Sequence, residues 1–155
     1  MLFRSAPGQR VAGVALLKTE RPDLHIVGVQ AEEVAAYPTS LSQGRPVAAD
    51  MRATMADGIA VAQPGDVPFG VVADLVDEVV TVGEEQMSQA LIGLLERAKL
   101  LVEPAGVAGV AALLAAPQRY EGPIVSILSG GNLSPFDPRV QIGRASCRER
   151  VYGTV

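Results

Sequence analysis

Ser129-Gly130-Gly131-Asn132 follows directly on the apolar run Ile124-Val125-Ser126-Ile127-Leu128, and this is where residue type and spacing best suit contact with a small molecule. A hydroxyl at the end of a strand is held in a fixed direction, and glycines beyond it let a flat or anionic ligand approach the backbone. In an open parallel sheet, ligands gather outside the carboxyl ends of the strands. An ordinary strand-to-loop exit would use the same residues, so the tetrapeptide needs support from the rest of the chain. Metal and disulfide chemistry find little to work with. One cysteine, Cys147, and one histidine, His25, cannot between them make a disulfide framework or a zinc site. His25 also opens an apolar stretch, where a structural role is expected.

The elements that must position Ser129 are legible from periodicity. Ala12 to Glu20 reads as the end of a helix closed by Pro22, and His25-Ile26-Val27-Gly28-Val29-Gln30 as a buried strand. A helical stretch from about Glu32 to Leu41 follows, which Pro38 should interrupt, because a helix-interior proline costs about 3 kcal/mol. Gln43 to Asp66, with Gly44, Pro46, Gly58, Pro64 and Gly65, predicts a long loop of the kind that is usually functional or disordered. Asp66 then suits the N-cap of a helix carrying Phe69, Val71, Val72 and Leu75. Glu78 to Val82 is the next predicted strand. The clearest helix runs from Glu84 to Ala98, with Met87, Ala90, Leu91, Leu94, Leu95 and Ala98 repeating at three and four. Its acidic first turn, Glu84-Glu85, and basic end, Arg97 and Lys99, complement the macrodipole. An almost uncharged helix from about Pro104 to Ala115 and a strand from Pro123 to Ser129 complete the series. Strands alternating with helices of this length predict an α/β fold: an open, mostly parallel sheet with helices on both faces, in three layers.

With 155 residues, no tryptophan and 48% hydrophobic residues, there is apolar surface for one domain. No apolar run reaches the roughly 20 residues that a bilayer requires and the head lacks a signal-peptide core, so a cytoplasmic protein without a membrane partner is expected. Between Ala6 and Pro138, eight Lys and Arg stand against sixteen Asp and Glu. Such an acidic body argues against nucleic acid, whose phosphates need basic partners.

The two ends differ in character. Ile142-Gly143-Arg144-Ala145-Ser146-Cys147-Arg148-Glu149-Arg150-Val151 has neither helical nor strand periodicity and reads as a translation of a short-read sequencing adapter, ATC GGA AGA GCG TCG TGT AGG GAA AGA GTG. Met1-Leu2-Phe3-Arg4-Ser5 reads as the opposite adapter end. Residues 1–5 and 141–155 are therefore expected to be non-native and 6–140 to be the biological content, an internal piece of a longer protein. A natural basic tail that touches a partner is the alternative.

Several blocks then fall into line: Ile26-Val27-Gly28-Val29-Gln30; Thr54-Met55-Ala56-Asp57-Gly58-Ile59-Ala60-Val61 with Pro64-Gly65; Leu75 to Val82; Glu96 to Gly106; and Leu128 to Asn132. In this order and spacing the chain resembles the C-terminal part of the catalytic domain of the threonine ammonia-lyases, also called threonine dehydratases. These are tryptophan-synthase-β-like, fold type II pyridoxal-phosphate enzymes, and the similarity covers Ala12 to Asp137. The resemblance implies a lyase of amino-acid metabolism that converts L-threonine to 2-oxobutanoate and ammonia by β-elimination, with pyridoxal 5'-phosphate as electron sink. It also implies a homo-oligomeric parent and an N-terminal half that this chain lacks. Ser129 matches the family serine that hydrogen-bonds the pyridine nitrogen. Gly130 and Gly131 would keep side chains clear of the ring, and Asn132 would fix the turn. Glu103 either faces the cofactor or stabilises the positive end of the helix after it. Asp57-Gly58 either lines the substrate cleft or is a plain turn pair.

The chain also departs from the family. The tetraglycine loop that cradles the cofactor phosphate at a helix start corresponds here to Ala6-Pro7-Gly8-Gln9-Arg10, in which only Gly8 survives and Pro7 has no N–H to donate. The Ser-x-Lys-x-Arg-like motif of the Schiff-base lysine is absent, and Lys18 and Lys99 stand at helix ends, so the chain alone is expected to be inactive. Related serine racemases bind a divalent metal where this sequence has Gln30 and Ala36, so no metal is expected there. A serine dehydratase or racemase of the same family, and a non-catalytic small-molecule-binding α/β module, are the competing readings.

Overall fold

The computed structural model describes residues 7–129, with side chains from Gly13 onward. Helix α1 (Pro7–Glu20) leads to strand β1 (Val27–Ala31), a 3-10 turn (Glu32–Val34) and helix α2 (Ala36–Gln43). A loop carrying a 3-10 turn (Asp57–Ile59) precedes helix α3 (Asp66–Leu75), strand β2 (Glu78–Val82) and helix α4 (Glu84–Gly93), which runs on into a π turn (Leu94–Ala98). A further 3-10 turn (Pro104–Gly106) and helix α5 (Ala108–Ala115) follow.

β1 and β2 pair in parallel, Val27 opposite Glu78 and Ala31 opposite Val82. Because side chains alternate across a strand, Val29, Ala31, Val80 and Val82 share one face, and that face joins Met87 and Ala90 of α4 and Ala108, Ala111 and Ala112 of α5 in the core. The small residues of α5 let it pack against both strands and against α4. On the other side of the chain's path, α1 packs against α3. Asp77, just before β2, ties this part together: Lys18 Nζ donates to it at 2.8 Å and the Ile26 amide at 2.7 Å.

Three expectations need correction. The strand predicted over 123–129 is not formed among the described residues, whose sheet has only β1 and β2. An apolar run becomes a strand only beside a ladder partner, and here Ile124 and Val125 are exposed. Asp66 is the first residue of α3 rather than its N-cap, which is Gly65. The helix expected from Glu32 to Leu41 divides at Ala35, so that Pro38 falls in the first turn of α2, where its missing N–H would have had no helical partner. That helix ends at Gly44, whose φ of 65° is the left-handed conformation glycine adopts without strain.

Candidate functional site

The long loop between α2 and α3 is anchored along its length. The Arg52 amide donates to the Glu33 carbonyl at 3.2 Å, its Nε lies 3.0 Å from Glu33 Oε2, and the Ala49 amide reaches the Ala62 carbonyl at 2.8 Å. The strongest anchor is Glu84, the first residue of α4. Its Oε1 accepts from the Thr54 hydroxyl at 2.5 Å and its Oε2 from the Met55 amide at 3.0 Å. Thr54 Oγ1 in turn accepts the Ala56 amide at 3.1 Å, and the Ala56 carbonyl accepts the Ile59 amide at 2.9 Å, closing the turn that carries Asp57 and Gly58. Ala56 and Ile59 are buried in the core beside Ala105 and Val107, and the Asp57–Ile59 turn packs on the Pro104–Gly106 turn.

The second turn is built on Glu103 and proline. Glu103 takes the N-cap position, Pro104 begins the turn, and the Gly106 amide returns to the Glu103 carbonyl at 2.8 Å. Only 8% of Glu103 is exposed. Burying a carboxyl group is costly unless it has a partner, and Glu103 is not left unpaired. It precedes α5 by several residues, so it does not serve as a first-turn carboxylate of that helix.

Gly106 closes the arrangement. A Cβ at this position would collide with the Ser129 carbonyl oxygen and lie 3.0 Å from the Ser129 amide nitrogen, so only glycine lets the chain at Ser129 rest on the turn. Ser129 itself is half-buried.

Asp57, Gly58, Glu103 and Ser129, dispersed over more than seventy positions of sequence, are thus joined through two short turns and one backbone contact. Gly8 lies in the first turn of α1, the helix packed on α3. Gly130, Gly131 and Asn132 lie outside the described residues. The lysines set aside as nucleophiles are both engaged, Lys18 with Asp77 and Lys99 with the Glu96 carbonyl at 2.7 Å. The Gln30 amide oxygen accepts the Tyr37 N–H at 2.9 Å, in the first turn of α2. No group of three or more His, Cys, Asp or Glu that could hold a metal occurs among the described residues.

Glu84 and Gly106 were not singled out from sequence as site residues. Glu84 reads as a dipole-complementing first-turn acid, and nothing in the spacing announces partners some thirty residues upstream. Ser129 and the buried Glu103 are thus carried on segments held together at backbone contact.

The sequence pattern of pyridoxal-phosphate-dependent enzymes matches residues 7–130. An L-threonine ammonia-lyase of Thermotoga maritima is 39% identical over 127 residues, which is 81% of this chain and 32% of that protein. An L-threonine ammonia-lyase of Geobacter sulfurreducens is 43% identical over 128 residues, again 81% of this chain and 32% of the relative. Among solved structures, a T.th. threonine deaminase superposes with a TM-score of 0.78 at 32% identity, covering 86% of this chain and 49% of that one. The chain therefore spans about a third of the length of these curated relatives.

Proposed function

The chain belongs to the family of pyridoxal-phosphate-dependent enzymes, and from that premise we propose that the protein it is part of deaminates L-threonine to 2-oxobutanoate and ammonia. The reading is supported by relatives named L-threonine ammonia-lyase and carried by one structural observation, the contact of Ser129 with the Glu103–Gly106 turn through a glycine that tolerates no Cβ. Bound pyridoxal phosphate supplies the electron sink for loss of the α-proton and the β-hydroxyl.

The chain's own residues orient that chemistry. Ser129 would offer a neutral hydroxyl to the ring nitrogen of the bound cofactor. Unlike a carboxylate, it would not hold that nitrogen protonated, which would favour expulsion of the β-hydroxyl over amino transfer. Gly130, Gly131 and Asn132 keep in this reading the roles that the resemblance implies for them. Glu103, on the turn that Ser129 touches, would face the cofactor, and Asp57-Gly58 would line the substrate cleft. Gly8, opening α1, retains one amide of the phosphate cradle. The base and the lysine anchor come from the N-terminal half of the parent enzyme, with residues 6–140 as the C-terminal part of its catalytic domain. Residues 1–5 and 141–155 are adapter-derived in this reading.

The test uses the complete enzyme encoded by the recovered open reading frame. Cofactor absorbance near the visible edge and faster 2-oxo acid release from threonine than from serine are expected. Absence of that absorbance removes the cofactor reading, and a preference for serine removes the substrate.

A further inference from the structure

We infer that Glu84 is a positioning residue of the site, holding the Asp57-Gly58 turn against the Glu103–Gly106 turn through Thr54 and Met55. The inference rests on the function proposed above and concerns a residue that acts through the loop it binds. Both carboxylate oxygens of Glu84 are committed to one short stretch of the loop, Oε1 to the Thr54 hydroxyl at 2.5 Å and Oε2 to the Met55 amide at 3.0 Å. Hydrogen bonds to an ionised acceptor are the strong ones, and two from adjacent residues fix direction as well as distance. Thr54 passes the constraint on by accepting the Ala56 amide at 3.1 Å. Ala56 then begins the turn that presents Asp57 and Gly58, and that turn packs on the one bearing Glu103 and Gly106.

The placement of Glu84 makes it a rigid post. It is the first residue of α4, where the positive helix end favours a carboxylate, and Met87, one turn on, is fully buried in the core. The Ser88 hydroxyl adds a contact with the Met55 sulfur at 4.0 Å, so α4 grips the loop at two levels. A loop of more than twenty residues would otherwise leave the Asp57-Gly58 turn free to drift, and misplacement of about 1 Å in a catalytic site lowers rates by as much as about a hundredfold.

The experiment compares Glu84→Ala, Glu84→Asp and Thr54→Val with Glu85→Ala in the complete enzyme. Glu85 carries the same charge one residue on and bonds to Gln89 within α4, so it controls for charge alone. Hydrogen exchange at the Met55, Ala56 and Ile59 amides is followed beside cofactor absorbance, kcat and KM for threonine. Glu84→Ala and Thr54→Val are expected to accelerate exchange at these amides about tenfold or more and to raise KM more than they lower kcat. Glu84→Asp should restore part of the loss, and Glu85→Ala should match the unaltered enzyme. Thr54→Val keeps the side-chain size, so it decides the matter if Glu84→Ala fails to fold. Unchanged exchange, or faster exchange with unchanged KM and cofactor spectrum, overturns the inference. If the unaltered enzyme binds no cofactor, the functional reading fails by itself, while exchange at Met55 and Ala56 still decides whether Glu84 holds the loop.

Discussion

The hydrogen bond proposed from the Ser129 hydroxyl to the ring nitrogen would be worth roughly 1 kcal/mol, so Ser129→Ala in the complete enzyme is expected to weaken cofactor binding about fivefold, measured by titrating the apoenzyme. Ser129→Asp places a carboxylate where the neutral hydroxyl stands and is expected to depress elimination further, with the loss appearing in kcat. Equal elimination by that variant would contradict the role given to the hydroxyl. Gly106→Ala works through the backbone instead. Its new methyl collides with the Ser129 carbonyl, which as main chain cannot swing aside. Overpacking of this kind costs about 1–3 kcal/mol, to be read as a lower melting temperature together with weaker cofactor absorbance. The two residues also differ in how far sequence could announce them. Ser129 stood out because a hydroxyl and two glycines after an apolar run is a local pattern. Gly106 and Glu84 owe their importance to partners distant in the chain, and no local periodicity encodes such pairs.

At the scale of elements, β2 and the start of α4 fall where alternation and the three-four repeat put them, and β1 is displaced by a residue or two. The misses have local physical causes. Pro38 signals a break to any reader of helix interiors, yet a first-turn position makes it harmless. The apolar repeat from Glu84 to Ala98 continues into the π turn, because the side-chain pattern does not distinguish a wider turn from an α one. The 123–129 run has strand composition but no described neighbour, and Val125 is 83% exposed. In the complete enzyme this run is expected to gain a ladder partner, so that the amides of Ile124 and Val125 exchange slowly. Fast exchange there would show that it stays unpaired. Between α1 and the two strands, Asp77 links elements electrostatically. The Ile26 amide, and then Lys18, hold its carboxyl below the ordinary carboxylate range, so its contribution is present above the unfolded-state value and disappears as pH falls through the lower folded one. Asp77→Asn is thus expected to lower the melting temperature at neutral pH, with the difference beginning to shrink as pH falls below about 4. A difference that does not shrink as pH falls through the acid range would assign the effect to packing.

The molecule as a whole carries its net negative charge on a body whose described surface also exposes large apolar side chains, Leu101 at 68% and Val125 at 83% among them. None of its described helices is long and apolar enough to cross a membrane, so a bilayer-spanning helix does not account for these side chains. Scattered exposed aliphatics are ordinary, and of these two Val125 lies within the segment that ends in Ser129. The chain alone, with Lys18 and Lys99 engaged elsewhere and no lysine motif, is expected to release no 2-oxo acid from threonine and to show no cofactor absorbance. The N-terminal half of the parent catalytic domain, supplied as a separate polypeptide, should restore both and shield the apolar side chains from a hydrophobic dye. The dye separates the two ways in which recovery could fail. Quenching without turnover would mean that the halves meet but the site is misassembled, as the Pro7-Gly8 departure from the glycine loop would cause. Turnover by this chain alone would end the proposal that its lysine lies elsewhere.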